Sequence, residues 1–199
     1  MLIDPIPAAR KVIFQSPWTT LEALDITGAA QPYYRLVEPA GVICVVLSAT
    51  GDFVMVRQPR PAIEGYTLEF PAGSIEDGET SEDAVRREVL EETGFTLAHA
   101  ACVGAAQAIP NRMHCPQRLY VGVAAPSALT RGKDHNAETV IVPRGEFLAT
   151  MQREGAHCVV AIGAIKLAEL TWALDLFAAP IQTITQAIAA AEAAPERIC

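Results

Sequence analysis

The feature that most constrains this chain is an acidic helix end, in which Glu88, Glu91 and Glu92 come just before Gly94. Like charges one helical turn apart repel each other. Acidic groups in a last turn also oppose the helix dipole, whose C-terminus is already partly negative. A sequence selected for stability alone would avoid both arrangements, so the three carboxylates indicate a bound cation. Mg²⁺ prefers oxygen ligands and leaves coordination positions open for phosphate.

The boundaries of this helix follow from local spacing. Thr80 and Asp83 have the spacing of a capping box, which predicts a start near Ser81. Val85 and Val89 lie one turn apart and predict a buried stripe. At about 100° per residue the three glutamates fan out beside that stripe. We therefore expect two of these carboxylates to be half-buried, where a metal ion would bind them well.

The competing interpretation is a solvated acidic face, which is what most runs of charge form. Two observations argue against it here. Glu88 and Glu92 border the buried stripe, and a glycine-rich loop precedes the helix. We favour a metal site for these reasons.

This segment resembles a complete Nudix box, because every constrained position of that motif is filled. The matching residues are Gly73, Glu79, Arg87, Glu88, Val89, Glu91, Glu92, Gly94 and Phe95. The resemblance implies an α/β fold, the Nudix α/β/α sandwich with a mixed sheet. It also implies hydrolysis of a nucleoside diphosphate that is linked to another group.

The resemblance implies a ligand set as well. Glu88, Glu91 and Glu92 would bind Mg²⁺, with Mn²⁺ as the alternative, and the backbone carbonyl of Ala72 would add a ligand. Glu79 and Arg87 would brace the loop against the helix.

Residues before the box resemble the ADP-ribose pyrophosphatase branch of this family. The similar segments are 57–60, Arg-Gln-Pro-Arg, and 68–73, Leu-Glu-Phe-Pro-Ala-Gly. The branch implies ADP-ribose or a nucleotide sugar as substrate, giving a nucleoside monophosphate and a phosphorylated remainder. Arg57 and Arg60 are candidates for diphosphate contacts, because a guanidinium fork suits phosphate oxygens; solvated strand ends are the alternative. Glu69 is a candidate for an outer metal or ribose contact.

The general base stays open at this point. Glu138 matches the branch best by its position before a predicted strand; Glu88, or a water held by metal alone, are the alternatives. The catalytic candidates are Glu88, Glu92, Glu138 and Arg87. Arg112 lies in a loop where relatives usually carry Pro-Gly, and it is a further substrate-binding candidate.

The strand pattern predicts two regions. Residues 1–38 read as short strands of a small antiparallel sheet, and residues 39–199 read as the Nudix domain with C-terminal helices. Relatives in this branch usually pair as dimers that exchange their N-terminal sheets, so a homodimer is expected. Val159 to Phe177 reads as one long helix with Leu167, Leu170 and Leu174 at helical spacing.

Charge and composition restrict the partners and the setting. The 199 residues carry a net charge of −8, and the pI is about 5.0, which argues against nucleic acid as a partner. The N-terminus has no signal-peptide pattern, and no apolar run is long enough to span a bilayer. Five scattered cysteines suggest neither a disulfide framework nor a zinc site. We expect a cytoplasmic enzyme that acts on a small nucleotide.

Two other functions remain open from the sequence. One is a different Nudix specificity, such as a nucleoside triphosphate or a dinucleotide polyphosphate. The other is a nucleotide-binding module without turnover, against which the intact glutamate set argues.

Overall fold

The structure is a computed structural model that describes residues 6–125, 136–155 and 158–194. The strands are β1 (Ala9–Gln15), β2 (Thr20–Asp25), β3 (Tyr33–Val37), β4 (Gly41–Leu47), β5 (Phe53–Arg60), β6 (Gly65–Glu69), β7 (Ala72–Ser74), β8 (Leu97–Gln107), β9 (Met113–His114), β10 (Pro116–Ala124) and β11 (Glu138–Val142). The α-helices are α1 (Ser81–Thr93), α2 (Phe147–Glu154), α3 (Val159–Trp172) and α4 (Ile181–Glu192). Two short 3₁₀ helices span Pro61–Ile63 and Arg144–Glu146.

The chain divides into two compact units, and the first comprises Met1–Ala40 and Gln107–Gln117. It contains a four-stranded sheet with the order β1-β2-β3-β9. The β1, β2 and β3 strands pair antiparallel, as the alternating pattern predicts, and β9 joins β3 in parallel. The sequence did not predict that a strand from residues 107–117 joins this sheet, because that pairing depends on contacts far apart in the chain.

The second unit comprises Gly41–Ala106 and Arg118–Cys199 and holds the acidic helix. Its seven-stranded sheet has the order β11-β5-β4-β10-β8, with β6 paired to β5 and β7 paired to β4. Side chains alternate across β4, so that Val42, Cys44 and Val46 pack in the core beneath α1. Val45 and Leu47 pack in the opposite core, beneath α2, α3 and α4. Helices on both faces of one sheet make the α/β/α sandwich that was expected.

Local capping interactions define α1 at both ends, as predicted. The Thr80 hydroxyl oxygen accepts a hydrogen bond from the Asp83 backbone N–H at 3.1 Å. Gly94 has φ of 74° and donates its N–H to the Leu90 carbonyl at 2.9 Å. Because a residue with a Cβ rarely adopts this left-handed conformation, glycine ends the helix there.

The prediction of one long helix from Val159 to Phe177 was wrong. The α3 helix ends at Trp172, because Ala173 adopts a left-handed conformation with φ of 52°. Leu170 is 71% exposed, while the buried positions of α3 are three alanines and Ile165. Among the described residues, no helix is both long enough and apolar enough to cross a bilayer.

Cys44, Cys115 and Cys158 carry free thiols. Burial raises the pKa of the Cys44 thiol well above its usual range, so that this group stays protonated and packs as a small apolar side chain. The expectation that Cys199 is an exposed thiol in the C-terminal tail falls outside the described residues.

Candidate active site

The loop before α1 is shaped around one glutamate of the helix. A Cβ built on Gly73 would overlap the carboxylate of Glu88 far inside contact distance. Gly73 pairs with Val42 across the β4–β7 ladder, so the backbone cannot retreat without breaking the sheet. Only glycine therefore lets the Glu88 carboxylate lie against the loop backbone.

Glu92 is held against the same loop. The side chain is only 7% exposed, and its Oε2 accepts a hydrogen bond from the Ala72 backbone N–H at 3.1 Å. Glu88 is half-buried, and this burial raises the pKa of its carboxyl group. Glu91 is the most exposed of the three, at 35% of its side chain. The expectation that two of the carboxylates would be half desolvated is confirmed.

Arg87 ties the loop to the helix through a guanidinium group that contacts four partners. Its Nε and Nη2 donate to both carboxylate oxygens of Glu79, each at 2.9 Å. Nη2 also donates to the Ser74 carbonyl at 2.8 Å, and Nη1 donates to Glu88 at 2.7 Å and to Glu91 at 3.4 Å. The bonds from Arg87 and from the Glu76 N–H lower the pKa of Glu79 to about 2.

We expect Arg87→Lys to destabilise the protein by about 2 to 3 kcal/mol, because lysine keeps the charge but cannot form the two-pronged bond to a carboxylate. Urea unfolding measures this change in free energy. A double-mutant cycle with Glu79→Gln should show that most of the loss is shared between the two residues.

The exposed Arg118 provides the matched control, since Arg118→Lys removes a guanidinium that forms no such fork with another residue in the described part of the chain. Its unfolding free energy should match that of the wild type. An Arg87→Lys protein as stable as the Arg118→Lys control would contradict the role of Arg87 in tying the loop to α1.

A cluster of polar side chains from β5 and β6 lies on the face of the sheet that carries α1. Arg60 donates from Nε and Nη2 to the two oxygens of Glu69, each at 2.9 Å, and the Thr67 hydroxyl also bonds to Glu69. The pairing raises the pKa of Arg60, and the nearby Glu92 adds to this effect. Arg60 and Glu69 therefore belong to the same electrostatic neighbourhood as the helix carboxylates.

Gln58 lies in the same face as this cluster, opposite Thr67 in the antiparallel register. Its side chain is buried, and its Nε2 atom has no hydrogen-bond partner within the described ranges. A buried amide donor without an acceptor is costly, and such groups cluster where a ligand supplies the missing bond. Gln58 belongs to the segment 57–60, and no role was predicted for it from the sequence.

Arg57 and Glu138 lie on the other face of the sheet. They are partners in the β5–β11 register, and Arg57 forms an ion pair at 3.0 Å with Glu154 of α2. Opposite residues in an antiparallel pair project to the same side, and the next residue of β11 on that side, Val140, packs against the core beneath α2. The structure therefore does not bring Arg57 and Glu138 to the face that carries α1.

Arg112 and the loop before β11 complete the set of predicted site segments. Arg112 belongs to the first unit, where its guanidinium lies 5.7 Å from the centre of the Tyr33 ring. Of the stretch 133–139 that was matched to the base-carrying loop, residues 133–135 lie outside the described residues. Thr139 follows Glu138 and donates its hydroxyl to the Thr93 carbonyl at 3.1 Å, which ties β11 to the end of α1.

The donor set fits a hard divalent cation. Three carboxylates on one helix border a backbone loop, and the Gly73 cradle admits the Glu88 carboxylate where any other residue would exclude it. All donors are oxygens, which Mg²⁺ and Mn²⁺ prefer. Within residues 6–125, 136–155 and 158–194 the acidic groups are not already arranged as a closed cage of three ligands, because Glu88 and Glu91 are turned toward Arg87.

Comparison with known proteins gives a consistent result. A family model described as "NUDIX domain" matches residues 37–159. The chain is 32% identical to mouse ADP-sugar pyrophosphatase over 118 residues, covering 56% of this chain and 54% of that protein. It is 33% identical to Bacillus subtilis (strain 168) ADP-ribose pyrophosphatase over 91 residues, covering 44% and 49%. The chain thus spans about half the length of the curated relatives it matches.

A solved structure shares the fold. The crystal structure of an ADP compounds hydrolase aligns with a TM-score of 0.69 at 21% identity, covering 86% of this chain and 97% of that one. This likeness shows the common architecture of sheet and helices.

Proposed function

Since the chain belongs to the NUDIX domain family, we propose that it is a pyrophosphohydrolase that cleaves the diphosphate bond of a nucleoside diphosphate derivative, with ADP-ribose or an ADP-sugar as the favoured substrate. The observation that carries the proposal is the Glu88 carboxylate seated in the Gly73 cradle beside the buried Glu92. The printed names of the mouse and Bacillus subtilis relatives support the substrate class.

Glu88, Glu91 and Glu92 would hold the divalent ion, together with the Ala72 carbonyl. When bound, the ion supplies positive charge that neutralises the diphosphate and favours ionisation of the attacking water. We place Mg²⁺ first and Mn²⁺ second. Arg87 contributes by position, since its bonds to Glu79 and Ser74 hold the loop against α1 while its Nη1 orients Glu88.

Arg60 is the better supported of the two arginine candidates for diphosphate binding. It lies on the α1 face, and the contribution of Glu92 to its raised pKa supports a position close to the carboxylates. Glu69 engages Nε and Nη2 and so fixes the plane of the guanidinium, and Nη1, which takes no part in this pair, could donate to a phosphate oxygen. Gln58 adds an unused donor to that face for an oxygen of the substrate. Arg57 is less well supported, because Glu154 engages it on the other face.

The register supports Glu88 over Glu138 as the group that accepts the proton of the attacking water. Glu88 lies on the α1 face against the Gly73 loop, beside the place proposed for the ion. Glu138 lies opposite Arg57, on the sheet face away from α1. Hydrolysis of ADP-ribose would then give AMP and ribose 5-phosphate.

We expect hydrolysis of ADP-ribose or an ADP-sugar with kcat/KM at least about tenfold above that for 8-oxo-dGTP or diadenosine tetraphosphate, since a site that holds the diphosphate and the attached sugar discriminates by its bonds to both. Chromatography of the products with Mg²⁺ or Mn²⁺ present measures this. Removing the metal with EDTA should abolish turnover, and excess Mg²⁺ should restore it.

Calorimetric titration with Mg²⁺ separates binding from turnover. If the protein binds metal but prefers to cleave a nucleoside triphosphate, its substrate is another Nudix substrate and not ADP-ribose. If it binds nucleotide without any cleavage, it is a binding module and not an enzyme.

We also propose that the protein forms a homodimer through the β1 side of its N-terminal sheet. Every residue of β1 is exposed, including Val12 (53%), Ile13 (48%) and Phe14 (57%), and a register shift between Val12 and Phe14 places those two side chains on opposite faces. An exposed strand of this composition marks an interaction surface. The net charge of −8 makes copies of the chain repel each other. Association is therefore expected only where apolar contact outweighs this repulsion, as at β1.

Phe14→Asp should weaken the dimer by at least about a hundredfold, because it places a charge in an apolar interface. Sedimentation equilibrium measures the mass against 21.2 kDa for one chain. Gln15→Asp, at the neighbouring exposed position, should leave the dimer intact. A wild-type protein that stays monomeric at high concentration rules out this surface as a dimer interface.

A further inference from the structure

A cavity of about 500 Å³ opens in the second unit, at the sheet edge formed by β8. Its walls come from the first turns of α1, from β8 and β10, and from the ends of α3 and α4. Its volume lies within the range of pockets that hold small organic ligands. Val85 and Arg86 of α1 line it, whereas Glu88, Glu91 and Glu92 do not, so the cavity is distinct from the proposed active site.

One side of the cavity is lined by alanines of α4 and of the residues directly after it. Ala187, Ala190, Ala191 and Ala194 have the i, i+3, i+4, i+7 spacing of a helix face that packs against a core, and all four line the cavity. Ala191 and the fully buried Ile188 contact the core, whereas Ala190 and Ala194 are exposed. The small side chains at these positions leave the space that the cavity occupies.

Polar side chains give this cavity a structured mouth. Glu192 forms an ion pair with Arg86, accepts a hydrogen bond from the Ala100 N–H at 3.4 Å, and lies 2.8 Å from His99 Nδ1. Arg86 also donates to the Leu97 carbonyl at 3.0 Å, so its positive charge is already engaged. These bonds connect α4 to α1 and to β8 at the rim of the cavity.

The remaining lining determines which ligand is complementary. Trp172 and Tyr120 contribute aromatic surface, and Glu82 contributes a carboxylate that accepts a hydrogen bond from the Ser81 hydroxyl at 3.3 Å. The three charged groups of the lining, Glu82, Arg86 and Glu192, leave one net negative charge. An anion is therefore disfavoured, and a ring that carries a positively charged amine matches both the apolar walls and the rim.

We propose that this cavity is a second ligand site, which binds a small aromatic amine with its ring against the alanines of α4 and its ammonium group toward Glu82. The site is independent of hydrolysis, since none of its lining residues has a part in the proposed reaction. Ligand binding would contact α1 in its first two turns, at Glu82, Val85 and Arg86.

Three indole compounds that differ in charge test the proposal on the full chain. Tryptamine is a cation, indole is neutral, and indole-3-propionate is an anion. By calorimetry and saturation-transfer NMR we expect tryptamine to bind about tenfold more tightly than indole, and indole-3-propionate to bind most weakly. Binding should persist when ADP-ribose saturates the protein.

Matched variants locate the binding. Ala187→Leu fills the cavity and should abolish tryptamine binding, while Ala189→Leu, on the opposite face of α4, should not. Glu82→Gln should remove the tenfold advantage of tryptamine over indole. In a Trp18→Phe background Trp172 is the sole tryptophan, and its fluorescence should change on titration with tryptamine.

Several results would overturn the assignment. Equal binding of tryptamine and indole-3-propionate contradicts the charge argument, and unchanged binding by a folded Ala187→Leu variant contradicts the location. Loss of tryptamine binding in the presence of ADP-ribose assigns the ligand to the active site instead. Failure of all three compounds, or binding only after residues 195–199 are removed, excludes a small-molecule site in the intact chain.

Discussion

Glu92→Gln is expected to lower kcat by about a thousandfold or more, because a lost metal ligand removes several kcal/mol of transition-state stabilisation. The fold should survive, since a glutamine side-chain carbonyl can still accept the bond that Glu92 takes from the Ala72 N–H. Neutralising a buried charge also relieves repulsion from the neighbouring carboxylates. Steady-state hydrolysis of ADP-ribose, with circular dichroism melting of the same sample, measures both effects.

Glu82→Gln is the matched control, because it removes one carboxylate from the exposed first turn of the same helix. Its kcat should equal that of the wild type. Calorimetry should show that Glu92→Gln also loses affinity for Mg²⁺, which ties the kinetic loss to the ion. A Glu92→Gln enzyme that turns over within about threefold of the wild type, a difference well under 1 kcal/mol, would remove Glu92 from the metal site.

Gly73→Ala is expected to lower kcat/KM by at least about a hundredfold, because the new methyl group occupies the place of the Glu88 carboxylate. Glu88 must turn away. Because its carboxylate is the end of a flexible side chain, this movement costs little folding stability. We therefore expect a loss of activity that is large compared with any loss of thermal stability. This contrast distinguishes a glycine required by the site from one required by the backbone.

Gly145→Ala supplies the control, since a Cβ at Gly145 would meet no atom within 4 Å. Activity and melting temperature should both match the wild type. A Gly73→Ala protein that keeps full activity would show that the position of Glu88 against the loop has no part in turnover. Loss of folding in Gly73→Ala, with Glu88→Ala stable and active, would give the glycine a structural role alone.

The two ends of the acidic helix show how much the sequence predicts on its own. Thr80 and Asp83 cap it, and Gly94 ends it, as their spacing indicated. These interactions connect residues three or four positions apart, so helical geometry alone decides them. The bond between Arg87 and Glu91 follows the same rule.

Helix α3 shows where the same reasoning fails. Its leucines have helical spacing, yet Leu170 is exposed, and alanines face the sheet. Hydrophobic spacing identifies a helix, but it does not decide which side packs when most positions are apolar. That choice depends on how closely the helix approaches the sheet, which small residues allow.

The sequence by itself determined the family, the acidic helix and the order of its carboxylates, because short-range periodicity and a dense motif specify them. Only the tertiary structure decided which strand side chains meet that helix: Arg60, Glu69 and Gln58 lie on its face, while Arg57 and Glu138 lie on the other. The reason is register, since shifting a strand pairing by one residue reverses every side chain. Register is set by contacts between segments far apart in the chain, which no local pattern encodes.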